Sequence, residues 1–438
     1  MNITDVLLDY IFDTSPQPKS ALNIFRLSLL DWAAVSLAGK NEPVAKLVRS
    51  YCIEESGNPE AFIFGSNERL PARAAALVNG TISHALDYDD THFDSLGHPS
   101  VAVLPAALAL ADRTNCDMKS FQYAALLGME VATRIGVWLG LEHYRKGFHI
   151  TATAGTFGAT VAAGYLLKLD RTQMLMGLGL ASSRAAGIKA QFGTMGKPFH
   201  AGLAASNGVE VAILASKGFT AAKDGLEGSQ GFANTHSSEQ NQNAFINLGK
   251  DFLFERVSHK FHACCHGTHA ALEALIKIRD QYSISPNDIE EIVIITHPQY
   301  LDVCNIFTPQ TGLEAKFSYK LTAAMVMYRL DTAKLETFSN DLCFDRNLVG
   351  MRDKVFVKTD TTLSESCAKV EIQISGKGIL KAKYNLAELK NFKERETKVY
   401  RKAESLLGPI QTKKLWLEIN HSKSTGHGSV SQRLFPKQ

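Results

Sequence analysis

Apolar residues recur at helical spacing along most of the first 260 positions of the chain. Small residues fill much of the space between the larger apolar side chains. Gly39, Gly140 and Gly218 stand where helices are expected to stop. Because Ala and Gly let helix backbones approach closely, this part of the chain is predicted to form a tightly packed helical bundle. The predicted helices span residues 24–39, 71–86, 100–112, 120–140, 151–169 and 201–218.

The pattern changes near residue 285. Alternating apolar residues in DIEEIVIITHPQY and KVFVKTD predict strands, and residues 367–385 predict two strands joined by an SGKG turn. Helical spacing returns over 318–330 and again after about residue 395. We therefore predict a mainly α protein with a large all-helical domain and an inserted smaller α+β lid domain. The predicted bounds are 1–269 and 393–438 for the helical domain and 270–392 for the lid.

Composition narrows the class of protein. The 438 residues are 45% hydrophobic and 21% charged, as in a soluble globular protein of two or more domains. The net charge of +3, without a long Lys/Arg run, argues against a nucleic-acid partner. Seven scattered cysteines fit free thiols in a reducing compartment. We expect a cytoplasmic protein without a membrane segment, because the N-terminus lacks a secretory pattern and the apolar windows contain Thr and Gly.

Four polar clusters interrupt the apolar sequence. They are HALDYDDTHFDSLGHPS (84–100), HYRKGFHITATAG (143–155), FGTMGKPFHAG (192–202) and SHKFHACCHGTH (258–269). Each cluster has a structural interpretation beside a functional one. The aspartates favour caps and solvated turns, Tyr144 and Arg145 could form an exposed helix end, and Lys197 could be an ordinary loop lysine. Most of the histidines could equally be structural or solvated.

The fourth cluster also suggests a metal-binding site. His262 and His266 are four residues apart and His269 follows after three more, so a helix could bring them to one face beside Cys264 and Cys265. The chain has no C-x-x-C, no H-E-x-x-H and no glycine motif for dinucleotides or phosphates. We therefore expect no metal and no cofactor, and keep a metal-dependent hydrolase as an alternative.

Taken together and in this order, the four clusters resemble hallmark segments of the MmgE/PrpD family. LLDWAAVSLAG (29–39) resembles the first-helix segment of that family, and the resemblance covers most of residues 20–280. It implies a helical domain, an α+β lid, a homodimer and an active site between the domains. Members of the family include 2-methylcitrate dehydratase, cis-aconitate decarboxylase and iminodisuccinate epimerase. They act on small di- or tricarboxylates without a redox cofactor.

The resemblance also implies the site residues, by their place in each motif. The first cluster supplies Asp87, Thr91 and His98, the second His149, the third Lys197 and the fourth Lys260. Tyr144 resembles a tyrosine of the epimerase branch. The predicted catalytic residues are Asp87, His98, Tyr144, His149 and Lys197, and the predicted substrate-binding residues are Thr91, Arg145, Lys260 and His266.

These residue types suit reactions that remove a proton or a carboxyl group from a carbon beside a carboxylate. Lysines would neutralise substrate carboxylates and the enolate-like charge, and two neighbouring lysines would lower the pKa of one toward that of a base. His98 and His149 are expected to titrate near neutral pH and to carry protons. Asp87 would orient a histidine or a lysine, and Tyr144 would deliver a proton from the opposite face.

Three departures distinguish the chain from the decarboxylase type. The spacing from Thr91 to His98 is one residue longer, Cys265 stands where that type has a histidine, and Leu321 stands where it has a lid tyrosine, with Tyr319 two residues earlier. The G-F-H segment, which the methylcitrate dehydratase type usually lacks, is present. We therefore expect a cofactor-independent lyase or isomerase on the decarboxylase/epimerase side. The alternatives are 2-methylcitrate dehydratase and a non-catalytic polycarboxylate-binding protein.

Overall fold

The computed structural model of the chain describes residues 2–13, 15–388, 391–420 and 429–436. These residues are mostly helical with a small share of strand, so the mainly α class is confirmed. The chain divides into two compact units, Met1–His259 with Leu407–Gln438, and Lys260–Leu406. The predicted boundaries after residues 269 and 392, and the role of the second unit as a lid, stay predictions.

The helices and strands of the described residues follow in chain order. The helices are α1 (Ile3–Ile11), α2 (Lys19–Gly39), α3 (Pro43–Glu55), α4 (Ala72–His84), α5 (Pro99–Thr114), α6 (Met118–Arg145), α7 (Ile150–Leu166), α8 (Arg171–Ala181), α9 (Gly196–Ser216), α10 (Phe232–His236), α11 (His266–Tyr282), α12 (Leu301–Cys304), α13 (Gly312–Ala315), α14 (Tyr319–Met327), α15 (Arg346–Arg352), α16 (Phe392–Leu407), α17 (Pro409–Asn420) and α18 (Val430–Leu434). The strands are β1 (Ala61–Phe62), β2 (Arg69–Leu70), β3 (Ile289–Thr296), β4 (Val355–Thr359), β5 (Cys367–Ile374) and β6 (Gly378–Asn385).

The helices predicted from apolar spacing in the first unit are present as α2, α4, α5, α6, α7 and α9. Gly39 is the last residue of α2, as predicted. At Gly140 the backbone leaves the helical region with φ +67°, which kinks α6 and lets a second helical segment continue to Arg145. Helix α9 begins at Gly196 rather than at residue 201, so Lys197 lies in its first turn. Helices α1, α3 and α8 were not predicted.

Close backbone approach explains the wealth of Gly and Ala in the first unit. Helix α4 packs on α9, and α7 packs on α5, α6 and α9. A Cβ atom added to Gly80 of α4 would lie 2.7 Å from the Cα of Gly202 in α9. Gly128 of α6 and Gly158 of α7 meet in the same way, each against the carbonyl of the other. Since such interiors are packed as densely as organic crystals, side chains at these positions would push the helices apart.

The second unit is built around a four-stranded sheet in the order β4-β3-β5-β6. Strands β3 and β4 are parallel, whereas β3 with β5 and β5 with β6 are antiparallel. The predicted SGKG turn is confirmed, with Gly376 and Gly378 at φ +71° and +81°, which side chains rarely adopt. Helix α11 packs on β5 and β6.

Helices α2 and α6 are long and apolar enough to cross a membrane, judged by length and composition alone. Their most apolar windows are 78% and 83% buried inside the protein. Core helices of soluble proteins share these properties, so the two helices are weak evidence for a membrane segment.

Candidate active site

The first polar cluster forms the connection between α4, which ends at His84, and α5, which begins at Pro99. Asp89 and Asp90 of this connection are 0% exposed. A solvated turn is therefore the wrong interpretation for these two carboxylates. Burying a carboxylate costs free energy unless it is hydrogen-bonded, so each needs partners inside the protein.

Asp89 bridges two histidines. Its Oδ1 lies 2.8 Å from His84 Nδ1, and its Oδ2 lies 2.8 Å from His98 Nδ1. Burial alone would raise the pKa of Asp89, but the charges and hydrogen bonds of the two histidines hold that pKa well below its usual value. Because an ionised carboxylate only accepts hydrogen bonds, both rings must donate through Nδ1–H. Their Nε2 atoms are thereby left as acceptors or bases when the rings are neutral.

Asp90 has a different role beside Asp89. Its Oδ2 accepts a hydrogen bond of 2.5 Å from Ser100 Oγ in the first turn of α5. Burial raises the pKa of Asp90 to about 7. The backbone carbonyl of Asp90 lies 2.9 Å from His98 Nδ1 and so provides a second acceptor for that N–H. Asp90 therefore anchors the start of α5 and helps to orient the His98 ring.

The other ring nitrogen of His98, Nε2, lies near Asp87 and Lys197. The distance from His98 Nε2 to Asp87 Oδ1 is 4.0 Å, and Asp87 Oδ2 lies 2.7 Å from the Lys197 ammonium. The side chains of His98 and Lys197 are 13% and 16% exposed, and that of Asp87 is 51% exposed. Asp89, His98, Asp87 and Lys197 thus form a row that runs from the buried interior to a partly exposed edge. The structure brings together three of the predicted catalytic residues.

His149, the fourth, lies close to the same row. It precedes α7, and its Nδ1 lies 3.1 Å from Nδ1 of His200 in α9, so one ring donates and the other accepts. The His149 ring also stacks on His84 with centroids 6.1 Å apart. Burial, with the nearby positive groups His84, His98 and Lys197, holds the pKa of His149 well below its usual value. The expectation that His149 titrates near neutral pH is therefore wrong, because a cation there would be both desolvated and repelled.

His84 adds an unpaired ring nitrogen to this site. The residue is 1% exposed, and its Nε2 has no hydrogen-bond partner among the described residues. Its ring centroid lies 4.6 Å from that of His98. An unpaired buried polar atom costs about 1–3 kcal/mol, so a water or a ligand hydroxyl would be stabilised here. Neither His84 nor Asp89 nor His200 was among the predicted site residues.

Tyr144 and Arg145 lie at the end of α6. The Lys189 ammonium lies 3.5 Å from the centroid of the Tyr144 ring, a close cation–π contact. The Arg145 side chain is 64% exposed and pairs with Glu142 at 2.9 Å. It lines a cavity of about 810 Å³ together with Asp94. Arg145 matches the exposed helix end considered from the sequence, whereas Tyr144 is half-buried. The roles assigned to Tyr144 and Arg145 stay predictions.

Thr91 is held through its backbone. Its N–H donates to the Ser258 carbonyl at 2.8 Å, and the Ser258 N–H donates back at 2.6 Å. His259, the next residue, lies with its Nε2 3.0 Å from Ser28 Oγ. Lys260 follows directly in the chain and begins the second unit. The first polar cluster is therefore tied to the segment that leads into Lys260.

Lys260 and His266 belong to the second unit, and the seven other predicted site residues belong to the first. Helix α11 begins at His266, so His262 precedes the helix and does not share a helical face with it. The rings of His262 and His266 each lie 4.9 Å from the His269 ring. The helical histidine face that the sequence left as an alternative therefore does not include His262, because the polypeptide is not helical before His266.

A different group of side chains has the spacing of a metal site. In the described residues, ligand atoms of His84, Asp87, Asp89 and His98 lie within 4.8 Å of one another. The Nδ1 atoms of both histidines already donate to Asp89, and the ammonium of Lys197 lies 2.7 Å from Asp87. A cation bound here would be repelled by that ammonium. The donor set therefore fits proton transfer better than metal binding.

Comparison with known proteins gives two family matches. The MmgE/PrpD N-terminal domain matches residues 2–244, and the MmgE/PrpD C-terminal domain matches residues 262–414. Together these matches cover most of the chain and include eight of the nine predicted site residues. The ninth, Lys260, lies between the two matched ranges.

Curated relatives are similar at low identity. A cis-aconitate decarboxylase-like protein oryM of Aspergillus oryzae is 29% identical over 306 residues, 64% of this chain and 62% of that protein. The cis-aconitate decarboxylase of Homo sapiens is 28% identical over 313 residues, 68% of this chain and 64% of that protein. The cis-aconitate decarboxylase of Aspergillus terreus is 28% identical over 284 residues, 61% of this chain and 58% of that protein. Each match spans less than two thirds of the relative's own length.

Proposed function

The chain belongs to the MmgE/PrpD family, and on that premise we propose that it is a cofactor-independent lyase or isomerase of a small di- or tricarboxylate. One observation carries the proposal. The imidazole of His98 is held at Nδ1 by the buried carboxylate of Asp89, 2.8 Å away, and its Nε2 faces the Asp87–Lys197 pair. A base fixed in one tautomer beside an ammonium group is what proton transfer next to a substrate carboxylate requires.

Lys197 is the candidate for substrate binding. Without substrate its ammonium is neutralised by Asp87 at 2.7 Å, in a position where its side chain is 16% exposed. A substrate carboxylate would replace or join Asp87 as the anion that Lys197 contacts. The freed or shared Asp87 carboxylate would then interact with His98, whose Nε2 is 4.0 Å away, and would stabilise its protonated form.

His98 is the candidate proton carrier. When Nε2 takes a proton from a carbon beside a carboxylate, the ring becomes a cation, and Asp89 stabilises that charge at Nδ1. His149 has a pKa held well below its usual value and stays neutral, so it is suited to hydrogen bonding rather than to charge stabilisation. The pair His149–His200 would then fix which nitrogen of His149 is turned to the substrate.

The residues of the second unit bear on which reaction occurs. Tyr319, the nearest tyrosine to the missing lid position, is 0% exposed, and its hydroxyl donates to the Gly267 carbonyl at 2.8 Å. Leu321 is also fully buried. Because Tyr319 is engaged in the interior of the unit, it is a poor substitute for a catalytic tyrosine. We therefore expect slow or absent itaconate formation from cis-aconitate, although the curated relatives are named cis-aconitate decarboxylases.

The two other candidates make different demands on the site. A non-catalytic polycarboxylate-binding protein would need Lys197 but would gain nothing from a buried carboxylate behind His98. A 2-methylcitrate dehydratase would use the same base and would need an acid for the departing hydroxyl group. The buried Asp89–His98 pair favours catalysis over binding alone.

The test is to incubate the pure protein in heavy water with citrate, 2-methylcitrate, cis-aconitate and iminodisuccinate, and to follow each compound by NMR. An epimerase would place deuterium in a substrate whose skeleton is unchanged. A decarboxylase would release carbon dioxide and place deuterium on the carbon skeleton that remains, and a dehydratase would produce an alkene. Binding of these compounds without any turnover would favour the non-catalytic alternative. The absence of both binding and turnover would contradict the proposal.

We also propose that the protein is a cytoplasmic homodimer that needs no metal and has no nucleic-acid or membrane partner. Light scattering of the pure protein tests the dimer, since a monomer of 47.9 kDa is readily distinguished from twice that mass.

A further inference from the structure

Two cysteine sulfurs face each other in the second unit. The S–H of Cys304 donates to Cys265 Sγ across 3.1 Å. Cys265 caps the N-terminus of α11, and Cys304 is the last residue of α12, 39 positions later in the chain. This pairing is therefore produced by tertiary packing and was not visible from the scattered spacing of the cysteines.

The two thiols have unequal environments. Cys265 is partly exposed, whereas Cys304 is 0% exposed. The N-terminus of the 17-residue helix α11 favours negative charge at Cys265, as does the S–H that Cys304 directs at it. That hydrogen bond and burial raise the pKa of Cys304 far above its usual value. Cys265 is thus the thiol suited to attack an oxidant, and Cys304 is the thiol suited to attack the mixed disulfide that forms at Cys265.

The neighbouring Cys264 is a contrasting case. It is 8% exposed, and its sulfur lies 3.1 Å from the hydroxyl of Thr268. Burial raises the pKa of Cys264 to about 12. A thiol that is buried and protonated in this way reacts slowly with an oxidant from solution. Cys264 therefore serves as a matched control for Cys265.

We propose that Cys265 and Cys304 are a reversible thiol–disulfide modification site whose oxidant is a small-molecule disulfide of the glutathione class. The Cys265 thiolate attacks one sulfur of the oxidant, forms a mixed disulfide and releases one thiolate. Cys304 then attacks the Cys265 sulfur, and its proton passes to the departing sulfur, which leaves as the second thiol. Two protein thiols are oxidised to one disulfide, and one oxidant molecule is reduced to two thiols.

The geometry requires little movement. The sulfurs must approach from 3.1 Å to about 2.05 Å, a shift of roughly 1 Å. Gly267 lies beside them, and a Cβ at this position would be 2.8 Å from Cys304 Sγ. The missing side chain of Gly267 leaves room for the Cys304 sulfur. The disulfide would join the start of α11 to α12.

A consequence for activity rests on the proposed function. Cys265 lies between Lys260 and His266 in the chain, and both are predicted to bind substrate. If that prediction holds, oxidation of Cys265 lowers turnover and reduction restores it. The disulfide itself can be detected without any activity measurement, so failure of the proposed function and failure of this inference are separate results.

The test uses the full chain incubated with excess oxidised glutathione, blocked with an alkylating reagent, digested with trypsin and analysed by mass spectrometry. Trypsin releases residues 261–277, which contain Cys264 and Cys265, and residues 280–316, which contain Cys304 alone. We expect these peptides to be joined with the loss of two hydrogen atoms, and dithiothreitol to separate them. Absence of the joined peptide from the oxidised wild-type protein would overturn the proposal.

Variants identify the sulfurs. Cys265→Ser should lower the yield of the joined peptide at least roughly tenfold, whereas Cys264→Ser should leave it unchanged. Cys304→Ser should trap glutathione on residues 261–277, because the second thiol is missing. A joined peptide that persists in Cys265→Ser and disappears in Cys264→Ser would contradict the assignment.

Discussion

Replacement of Asp89 by Asn tests the core of the proposed site. In the wild-type protein the carboxylate accepts two hydrogen bonds of 2.8 Å, from Nδ1 of His84 and Nδ1 of His98. An amide has one acceptor oxygen and one donor nitrogen, so it can serve only one of the two N–H groups. The other histidine must turn its unprotonated Nδ1 toward the amide and place its proton on Nε2.

The magnitude follows from the bond that is lost. A hydrogen bond to a charged group contributes about 1.5–3 kcal/mol, which corresponds to a loss of roughly 10- to 150-fold in kcat if it stabilises the His98 cation in the transition state. If His98 is the ring that changes tautomer, the loss can reach roughly 10⁴-fold. We expect KM to change little, because Asp89 is fully buried and behind the substrate-facing groups.

The assay is steady-state turnover, by NMR, of whichever tested polycarboxylate the wild-type protein converts, together with thermal unfolding to show that the variant is folded. Asp94→Asn is the matched control, because Asp94 lies on the same connection, is 53% exposed at its side chain and pairs only loosely with Arg256 at 3.3 Å. A folded Asp89→Asn protein with wild-type kcat would refute the role of Asp89 as a positioning residue.

The same variant has a signature in stability that does not depend on activity. The folded pKa of Asp89 is held well below the unfolded value of about 3.9. Its contribution to the free energy of unfolding is therefore fully present above that value and is lost as the pH falls through the folded pKa. We expect Asp89→Asn to remove this part of the acid sensitivity, which denaturant unfolding at several pH values below about 5 would measure.

Three further predictions concern binding, packing and metal content. Lys197→Ala should abolish turnover and weaken binding of a dicarboxylate inhibitor by about 1.5–3 kcal/mol. The control Lys217→Ala, at an exposed lysine after α9, should do neither. If calorimetry shows that the Lys197 variant binds the inhibitor as tightly as wild type, Lys197 is a structural lysine. Gly80→Ala should lower the free energy of unfolding by about 1–3 kcal/mol, because the added Cβ would meet Gly202. The control Gly350→Ala has open space around the added Cβ and should not destabilise the protein. Chemical denaturation of the two variants tests this difference. Elemental analysis of the purified protein should find no stoichiometric zinc, iron or calcium, and about one equivalent, with activity lost on chelation, would contradict the proton-transfer mechanism.

The helical framework was largely predictable from the sequence. Helices α2, α4, α5, α7 and α9 carry long runs of apolar and small residues, which report burial on nearly all faces. Strand β5 was predictable from the alternation of its apolar residues, and the turn between β5 and β6 from its glycines. Strand β3 was also predicted, although Ile292, Val293 and Ile294 in its centre are all buried and do not alternate. Helix α3 was missed because it starts with a proline and buries few of its residues, so its apolar spacing is weak.

The site was predictable only in part. Asp87, His98, His149 and Lys197 were identified through family resemblance, and the structure places them close to one another in the first unit. Asp89 was missed because a turn has no periodicity that tells which of four aspartates points inward.

The sequence by itself determined the identity of the chemical groups and the helices on which they stand, because both depend on local spacing and on recognisable motifs. Only the tertiary structure decided that Asp89 bridges His84 and His98, that His149 meets His200, and that Cys304 meets Cys265. These contacts join residues 5 to 51 positions apart in directions that no helical or strand period specifies. The pKa values of Asp89 and His149 depend on those contacts and on burial, so they too are properties of the folded chain.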